Sequence, residues 1–411
     1  MSAILEAGPN LEMETWNRLR TRAIFEHCKW DPQSEDRSVL ARYPLFLSCD
    51  AFWQLQEHAE SLSREALTAE KEILNKANLW EELGIPQKIR RALLANESFC
   101  QEDHVRVMRF DFHNTQEGWK ISEVNADVPG GYIEGSGWNA LFAEHCNGES
   151  TPPSPSQLLA MAIRASVPGG STVALVHATT FSDDRQVMMK LAKELVREGL
   201  KPVLAGPENI VWKEGVACLK NGSERIEVSA AIRFFPAEWL PQLPRTNDWG
   251  RWFSGSKTIL CNPGRAILLQ SKRLPLIWQE LNSPLDTWMR LLPGTVDPTH
   301  IHHSEGDEWV IKPAFGRVGE DVAMKNVTSN ADYGKLLREA EKHPRKWVAQ
   351  KRFETLPVRT EEGNVYPCMG VFTVDGKFAG IYGRASRTPL INQEAQDVAV
   401  LVRAETTRGV Q

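Results

Sequence analysis

The sequence predicts an α+β protein built from two or three lobes. Three observations lead there: a long helical, polar-rich opening, period-two apolar runs further on, and a β–α–β unit between them. At 411 residues the chain exceeds the size at which a single core keeps growing.

Residues up to about Asn96 read as mostly helical. From Ala51 to Leu94 apolar residues recur at helical spacing with Glu and Lys between them, a pattern for packing and not for chemistry. From about Val105 the period changes to two. RVMRFDFH and WKISEVN alternate on either side of Asn114–Gly118, which predicts a hairpin with a five-residue loop. A Pro/Ser stretch from Ser150 marks a boundary. After it TVALVHA reads as a buried strand, Asp184 to Gly199 as an amphipathic helix and KPVLAG as the next strand, with AAIRFFP as a later one. Arg265 to Glu280 reads as helix. The final third is strand-rich again, with EWVIKP, WVAQKRF and a hairpin at Asp375-Gly376.

Apolar residues at 42% and charged residues at 25% describe an ordinary globular chain. A net charge of −5 offers no general attraction to nucleic acid or an anionic membrane, so neither is expected as a partner. The N-terminus shows no signal peptide, and no apolar run approaches the roughly 20 residues of a spanning helix. Cys28, Cys49, Cys100, Cys146, Cys218, Cys261 and Cys368 form no CxxC pair, which favours reduced thiols in a cytoplasmic protein.

Two segments carry chemistry. On the first hairpin strand Val107, Arg109, Asp111 and His113 share one face, and Met108, Phe110 and Phe112 the other. On the second, Trp119, Ile121, Glu123, Asn125 and Asp127 share a face. Placing His113 and Trp119 beside the loop sets Arg109 opposite Glu123 with Asp111 diagonal to it. Carboxylates so close repel unless a cation compensates them or one takes a proton. Hard oxygen donors without His or Cys suit Mg²⁺ bound together with phosphate oxygens, and Asn125 adds an amide that a salt bridge does not need. A solvated, salt-bridged hairpin face fits the same spacing. The second segment, WVIKPAFGRVGE from Trp309 to Glu320, ends a strand in Lys312-Pro313 and continues through Gly316, Arg317 and Gly319. Two glycines three apart let backbone approach a phosphate closely. A plain basic turn between strands also explains it.

With these segments in place the sequence resembles the glutathionylspermidine synthase family in its stand-alone synthetase form. The matching stretches are RFDF from Arg109, EVNAD from Glu123, FFPAEWL from Phe234 and SKRLPLIWQEL from Ser271. KPAFGRVGEDV from Lys312, Gln350 with Leu356-Pro357, and GIYGRASRTPLIN from Gly380 complete the set in the family's order. The resemblance implies a permuted ATP-grasp fold and an ATP- and Mg²⁺-dependent ligase that joins a small peptide or amino-acid carboxylate to an amine, polyamines included. It implies Asp111, Glu123 and Asn125 as Mg²⁺ ligands, and Lys272, Lys312, Gly316, Arg317, Gly319 and Gln350 around ATP. Arg109 and Arg384 would act on the transferring phosphoryl group. The implied organisation is a mainly helical region 1–97, a metal-binding hairpin 98–149, a β–α–β substrate lobe 150–260 and nucleotide-binding lobes with a glycine-loop lid 261–411.

Departures accompany the match. Where the family continues Thr-Pro-Thr, this chain has Val128-Pro129-Gly130-Gly131, without hydroxyls that help hold a peptide; Val318 stands where the family commonly has Glu. No space precedes the hairpin for a Cys/His amidase domain, so amide hydrolysis is not expected. The alternative is a catalytically silent ATP- or polyamine-binding protein of the same fold. His300 to His303 read as a solvated loop, and His145-Cys146 as neighbours facing different ways. Thr179, Thr180 and Ser182 read as helix caps, with a substrate carboxylate at that helix start as the alternative, and Trp53, Trp80, Trp278 and Trp288 read as core.

Overall fold

The computed structural model describes residues 4–30, 33–34, 37–95, 104–146, 148–301, 307–316, 319 and 321–404. Along the chain come strand β1 (Leu5–Ala7), helix α1 (Met13–His27), strand β2 (Leu40–Leu47), helix α2 (Cys49–Leu74) and hairpin strands β3 (Val107–Thr115) and β4 (Gly118–Asn125). Helix α3 (Pro155–Ser166), strand β5 (Thr172–His177), helix α4 (Ser182–Arg197) and strands β6 (Lys201–Ala205), β7 (Ala230–Phe234) and β8 (Ile259–Cys261) follow. The last third adds β9 (Thr295–Val296), β10 (Trp309–Pro313), β11 (Ala323–Met324), helix α5 (Asn330–Lys342) and β12 (Trp347–Lys351). It closes with β13 (Gly363–Val374), β14 (Lys377–Ser386) and β15 (Gln396–Val402).

The largest sheet runs β1–β2–β15–β14–β13–β3–β4, with Val358–Thr360 paired beside β13. Only β2 and β15 pair in parallel; the other neighbours are antiparallel. Strand β2 lies within the stretch read as mainly helical. Nearly all of its residues are buried, so it lacks the alternation that marks a strand with one wet face.

Helix α2 starts where the Ser48 hydroxyl accepts from Ala51 N–H at 3.2 Å, with Asp50 in its positive first turn. Its buried stripe includes Leu55, Ala59, Leu62, Ala66, Ala69 and Ile73, and the three alanines among them let the helix lie close to the sheet. At its end Glu70 is buried and grips the Arg106 guanidinium, with the second oxygen at 2.8 Å, while Arg265 approaches at 3.1 Å. Two cations on one buried carboxylate fix α2 to the entry of β3. Trp80 and Trp288 are buried as expected and Trp278 is partly so. Trp53 is not core: it is 58% exposed on the outer face of α2, edge-on to Phe52.

A second, fully parallel sheet runs β8–β7–β5–β6, with α3 and α4 packed against it. The Pro/Ser stretch becomes the start of α3, capped by Ser154. Arg265 to Glu280 forms three short helical turns, Gly264–Ala266, Ile267–Gln270 and Leu274–Glu280. The break falls at Ser271–Arg273, where Ser271 Oγ donates to Leu83 O and Pro275 has no N–H to continue a ladder.

A small antiparallel sheet, β9–β12–β10–β11, is backed by α5 through Ile311, Ala323, Ala340, Trp347 and Ala349. Arg273 fastens this sheet to the rest. It is 1% exposed and donates to Glu82 O, to Pro344 O and Trp347 O at 2.9 Å each, and to Asp297 Oδ2 at 2.9 Å. Among the described residues no helix is long and apolar enough to cross a membrane, and Cys28, Cys49, Cys146, Cys218, Cys261 and Cys368 are free thiols.

His104 accepts from Leu260 N–H through Nδ1 at 3.2 Å. Burial, with Arg265 and Arg106 beside it, pushes its imidazole down from 6.5 to about 4. The unfolded chain therefore binds this proton more readily, so the contribution to stability is whole above pH 6.5 and lost as pH falls towards 4. Denaturant unfolding at pH 7 and pH 4 should differ by about 3 kcal/mol on this account. The difference should shrink in His104→Asn, whose side-chain oxygen keeps the acceptor; an equal difference in that variant would remove His104 as the cause.

Candidate functional site

The acidic hairpin turns more tightly than its sequence indicates. Thr115 pairs with Gly118, leaving a two-residue turn at Gln116-Glu117 in place of the five-residue loop. The Thr115 hydroxyl closes that turn, donating to Gly118 O at 2.7 Å and accepting from Glu117 N–H at 3.1 Å. A bulge between Asp111 and Phe112 makes Ser122 an extra residue on β4. The expected register is thereby corrected: Arg109 faces Asn125, and Asp111 faces Glu123. The bulge also reverses the alternation, so Trp119 and Ile121 pack in the core with Phe110 and Phe112 while Glu123 and Asn125 keep the other face. Asp127 leaves that face altogether. It is buried at 1%, bonded to Arg233 and accepting from Ala237 N–H at 2.9 Å.

Four side chains of the hairpin interlock. Arg109 forks onto Asp111 through Nε at 2.7 Å and Nη2 at 2.9 Å, and donates Nη1–H to Gly130 O at 2.8 Å. Asn125 Nδ2 donates to Asp111 Oδ2 and Glu123 Oε1, each at 3.3 Å. Burial raises the Asp111 carboxyl, opposed by Arg109 and reinforced by the Glu123 charge. Burial pushes Glu123 the same way, but Lys272 and Lys312 outweigh it and hold that carboxyl at about 2. The two carboxylates thus converge on one amide while neighbouring cations offset their repulsion.

Two lysines meet them from across the cleft. Lys272 sits 3.1 Å from Glu123 Oε2 and donates to Gly316 O at 2.7 Å. Lys312, on β10, donates to Gln350 Oε1 at 2.6 Å and to Ser122 O at 3.3 Å. Gln350 lies on β12 opposite Val310, so the antiparallel register of β10 and β12 sets this pair. Among the described residues Lys312 donates to neutral oxygens, and burial, with Lys272 nearby, pushes its ammonium down to about 8.

A cleft of about 570 Å³ holds all of these groups. Arg109, Asp111, Glu123, Asn125, Lys272, Lys312, Gly316, Gly319, Gln350 and Arg384 line it together. Arg317 lies outside the described residues, as do His302 and His303. Arg384, on β14, donates to Asn392 O at 2.7 Å, and a side chain at Gly319 would collide with Ile391 O. The loop around Ile391 therefore joins Arg384 to the glycine segment.

Sequence reasoning missed part of the wall. Lys29, His113, Glu134, Tyr382 and Asp397 also line the cleft. His113 bonds Ser122 Oγ at 3.0 Å, and burial keeps it neutral, pushed down to about 3. Its place on the Arg109 face was the available signal; Lys29 and Asp397 come from distant elements and gave none. The expected caps of α4 are absent: Phe181 holds the cap position without a side-chain hydrogen bond, and Asp183 and Asp184 fill the first turn. Those two acids also make that helix start unsuited to a carboxylate.

Two carboxylates and an amide converge on the cleft and could contribute donors to a divalent cation; among the described residues no group of three or more His, Cys, Asp or Glu is placed to hold a metal ion by itself. The set fits Mg²⁺ shared with phosphate oxygens, because turning the Asn125 amide over presents its oxygen between Asp111 and Glu123.

A family model described as glutathionylspermidine synthase preATP-grasp matches residues 20–403. Among solved structures the chain is similar to a glutathione synthetase-like effector from Globodera pallida in its apo form. The two share 11% identity and a TM-score of 0.62, over 94% of this chain and 96% of that one. A putative gamma-glutamylcysteine synthetase from Methylobacillus flagellatus KT gives 13% identity and a TM-score of 0.42, over 81% and 86%. No curated protein matches in sequence.

Gly131 lines the cleft with φ +97°, and a Cβ there would stand 2.6 Å from the Tyr382 ring. Gly131→Ala should lower unfolding free energy by about 1–3 kcal/mol through strain and overlap. Denaturant titration reads this directly, and wild-type stability would mean that turn and ring part freely.

Proposed function

The chain belongs to the glutathionylspermidine synthase preATP-grasp family, and on that premise we propose that it is an ATP- and Mg²⁺-dependent carboxylate–amine ligase. The observation that carries this reading is the approach of Lys272 and Lys312 to the Asp111, Glu123 and Asn125 face across one cleft. The order along the chain, acidic strands before nucleotide lysines, supports a permuted ATP-grasp arrangement.

The substrate carboxylate attacks the terminal phosphoryl group of ATP, and ADP departs. The amine then attacks the acyl phosphate carbon, an amide forms, and phosphate leaves with the amine proton released. Lys272 and Lys312 hold phosphate oxygens, Gln350 sets Lys312, and Gly316 and Gly319 give close backbone approach, with Arg317 between them in the sequence. Arg109 and Arg384 neutralise charge at the transferring group, where a planar fork suits an oxygen pair. Asp111, Glu123 and Asn125 would hold Mg²⁺, which supplies charge neutralisation between phosphates when bound. Burial of these groups keeps water from a hydrolysable intermediate. The carboxylate is a small peptide or amino acid and the amine includes polyamines as candidates; unpaired thiols support a cytoplasmic setting.

Pure protein with Mg-ATP and a panel of amino acids, short peptides and amines should release ADP only when a matching carboxylate is present. Asp111→Asn and Lys312→Ala should each lower that rate by at least about a hundredfold with the fold retained. ATP binding without carboxylate-stimulated ADP release across the panel would sink the proposal.

Nucleotide phosphates favour the Lys312 ammonium, whose pKa lies at about 8 in the free protein. Binding then draws in a proton above pH 8, so affinity for Mg-ATP should fall towards tenfold per pH unit there. Calorimetry at pH 7, 8 and 9 in two buffers measures both; Lys312→Arg should flatten the dependence.

A further inference from the structure

Arg109 is held by groups that the reaction itself would engage. Its fork rests on Asp111, a proposed Mg²⁺ ligand, and its third contact is a backbone carbonyl in the Val128–Gly131 turn. A carboxylate shared with a cation grips a guanidinium less firmly, so Arg109 needs a support that does not change during turnover.

Tyr382 provides one. The Arg109 guanidinium lies over its ring, 5.4 Å from the centroid. The ring is fixed from several sides. Gly131 and Gly370 flank it, and a Cβ at either would come within 2.6 Å and 3.1 Å of ring atoms. Its hydroxyl donates to Asp397 Oδ1 at 2.7 Å. The other oxygen of Asp397 accepts from Lys29 at 3.0 Å, and Lys29 also pairs with Glu134 at 2.5 Å. Lys29 and Asp397 are both buried, 4% and 8% exposed, so the lysine holds the carboxylate in place. Asp397 also lies 3.9 Å from Arg384 Nε. One carboxylate thus faces the second cleft arginine directly and the first through a tyrosine.

We propose that Tyr382 is a positioning residue, anchored by Asp397 and Lys29, that aims the Arg109 guanidinium at the transferring phosphoryl group. The proposal rests on the reading above in which Arg109 acts on that group. None of the three anchors belongs to the hairpin or the glycine segment. They come from the residues after α1 and from β14 and β15, and together they form a rigid floor beneath one side of the cleft. Tyr382→Phe keeps the ring and removes the bond to Asp397. Lys29→Met removes the cation that fixes Asp397.

In carboxylate-dependent ADP release, Tyr382→Phe should lower kcat roughly tenfold to a hundredfold, as for a small misplacement of a catalytic group. KM for Mg-ATP should stay within about twofold, since Lys272 and Lys312 hold the nucleotide and Arg109 acts on charge that develops during transfer. Lys29→Met should act alike, and the double variant should be no slower than the worse single, because both cut the same chain. Unchanged kcat in Tyr382→Phe, or losses that multiply in the double variant, overturn the proposal. The side-chain Nε–H resonance of Arg109, identified by its loss in Arg109→Lys, gives a second measurement that needs no turnover. It should shift in both Tyr382→Phe and Lys29→Met; an unmoved resonance also overturns the proposal. A wild type without ADP release would refute the ligase reading alone, with the resonance still deciding the positioning role.

Discussion

The site depends first on a buried guanidinium that does no chemistry. Arg273 reaches into the seam between the small antiparallel sheet and the body of the molecule, donating to three carbonyls and one carboxylate. A buried cation is tolerated only when its donors are satisfied. The seam is thus locked in one geometry, and the adjacent Lys272 is carried onto Glu123 and Gly316. A second clamp acts on the opposite wall. Asn262 Nδ2 donates to the carbonyls of Val107, Ala126 and Asp127, and Gln270 accepts from Ala126 and Asp127 N–H. The open end of the acidic hairpin is thereby held, while Asp111, Glu123 and Asn125 further along it face the cleft.

Among the described residues two of the cleft cations are closely paired with carboxylates and a third is not. Arg109 is matched to Asp111 and Lys272 to Glu123, whereas Lys312 donates to neutral oxygens. Burial, with the Lys272 charge beside it, lowers its pKa, and the ammonium still lines the cleft. A ligand bringing several negative charges supplies what this wall lacks. The same ligand would loosen Glu123 from Lys272 and free its oxygens for a cation, so anion and cation favour each other's arrival.

Much of this was legible in the sequence, for identifiable reasons. Period-two alternation placed Met108, Phe110 and Phe112 inward and Arg109 and Asp111 outward, as found. In the parallel sheet β5, β6 and β7 followed from apolar runs and helix α4 from its spacing, whereas the short strand β8 and helix α3 were not read. The exact facing of Glu123 did not, because one extra residue at Ser122 shifts the register and nothing local announces a bulge. Strand β2 escaped because burial on both faces erases alternation, and Trp53 because a helical stripe does not say which aromatic lies at its edge. Lys29, Tyr382 and Asp397 were invisible for another reason. Their meeting is a property of the tertiary fold, and no spacing along the chain encodes it.

The parallel pairing of β2 with β15 has a consequence for how the molecule comes into being. Lys29 and Asp397, which meet beneath the cleft, stand 368 positions apart in the chain. Contacts so distant form late, since the intervening polymer must first be gathered at an entropic cost. On a ribosome, strands β3 and β4 would emerge and pair long before the strand that completes the floor under them. The floor of the cleft is therefore incomplete until nearly the last of its sheet has been made, and an early truncation leaves the acidic hairpin without that neighbour.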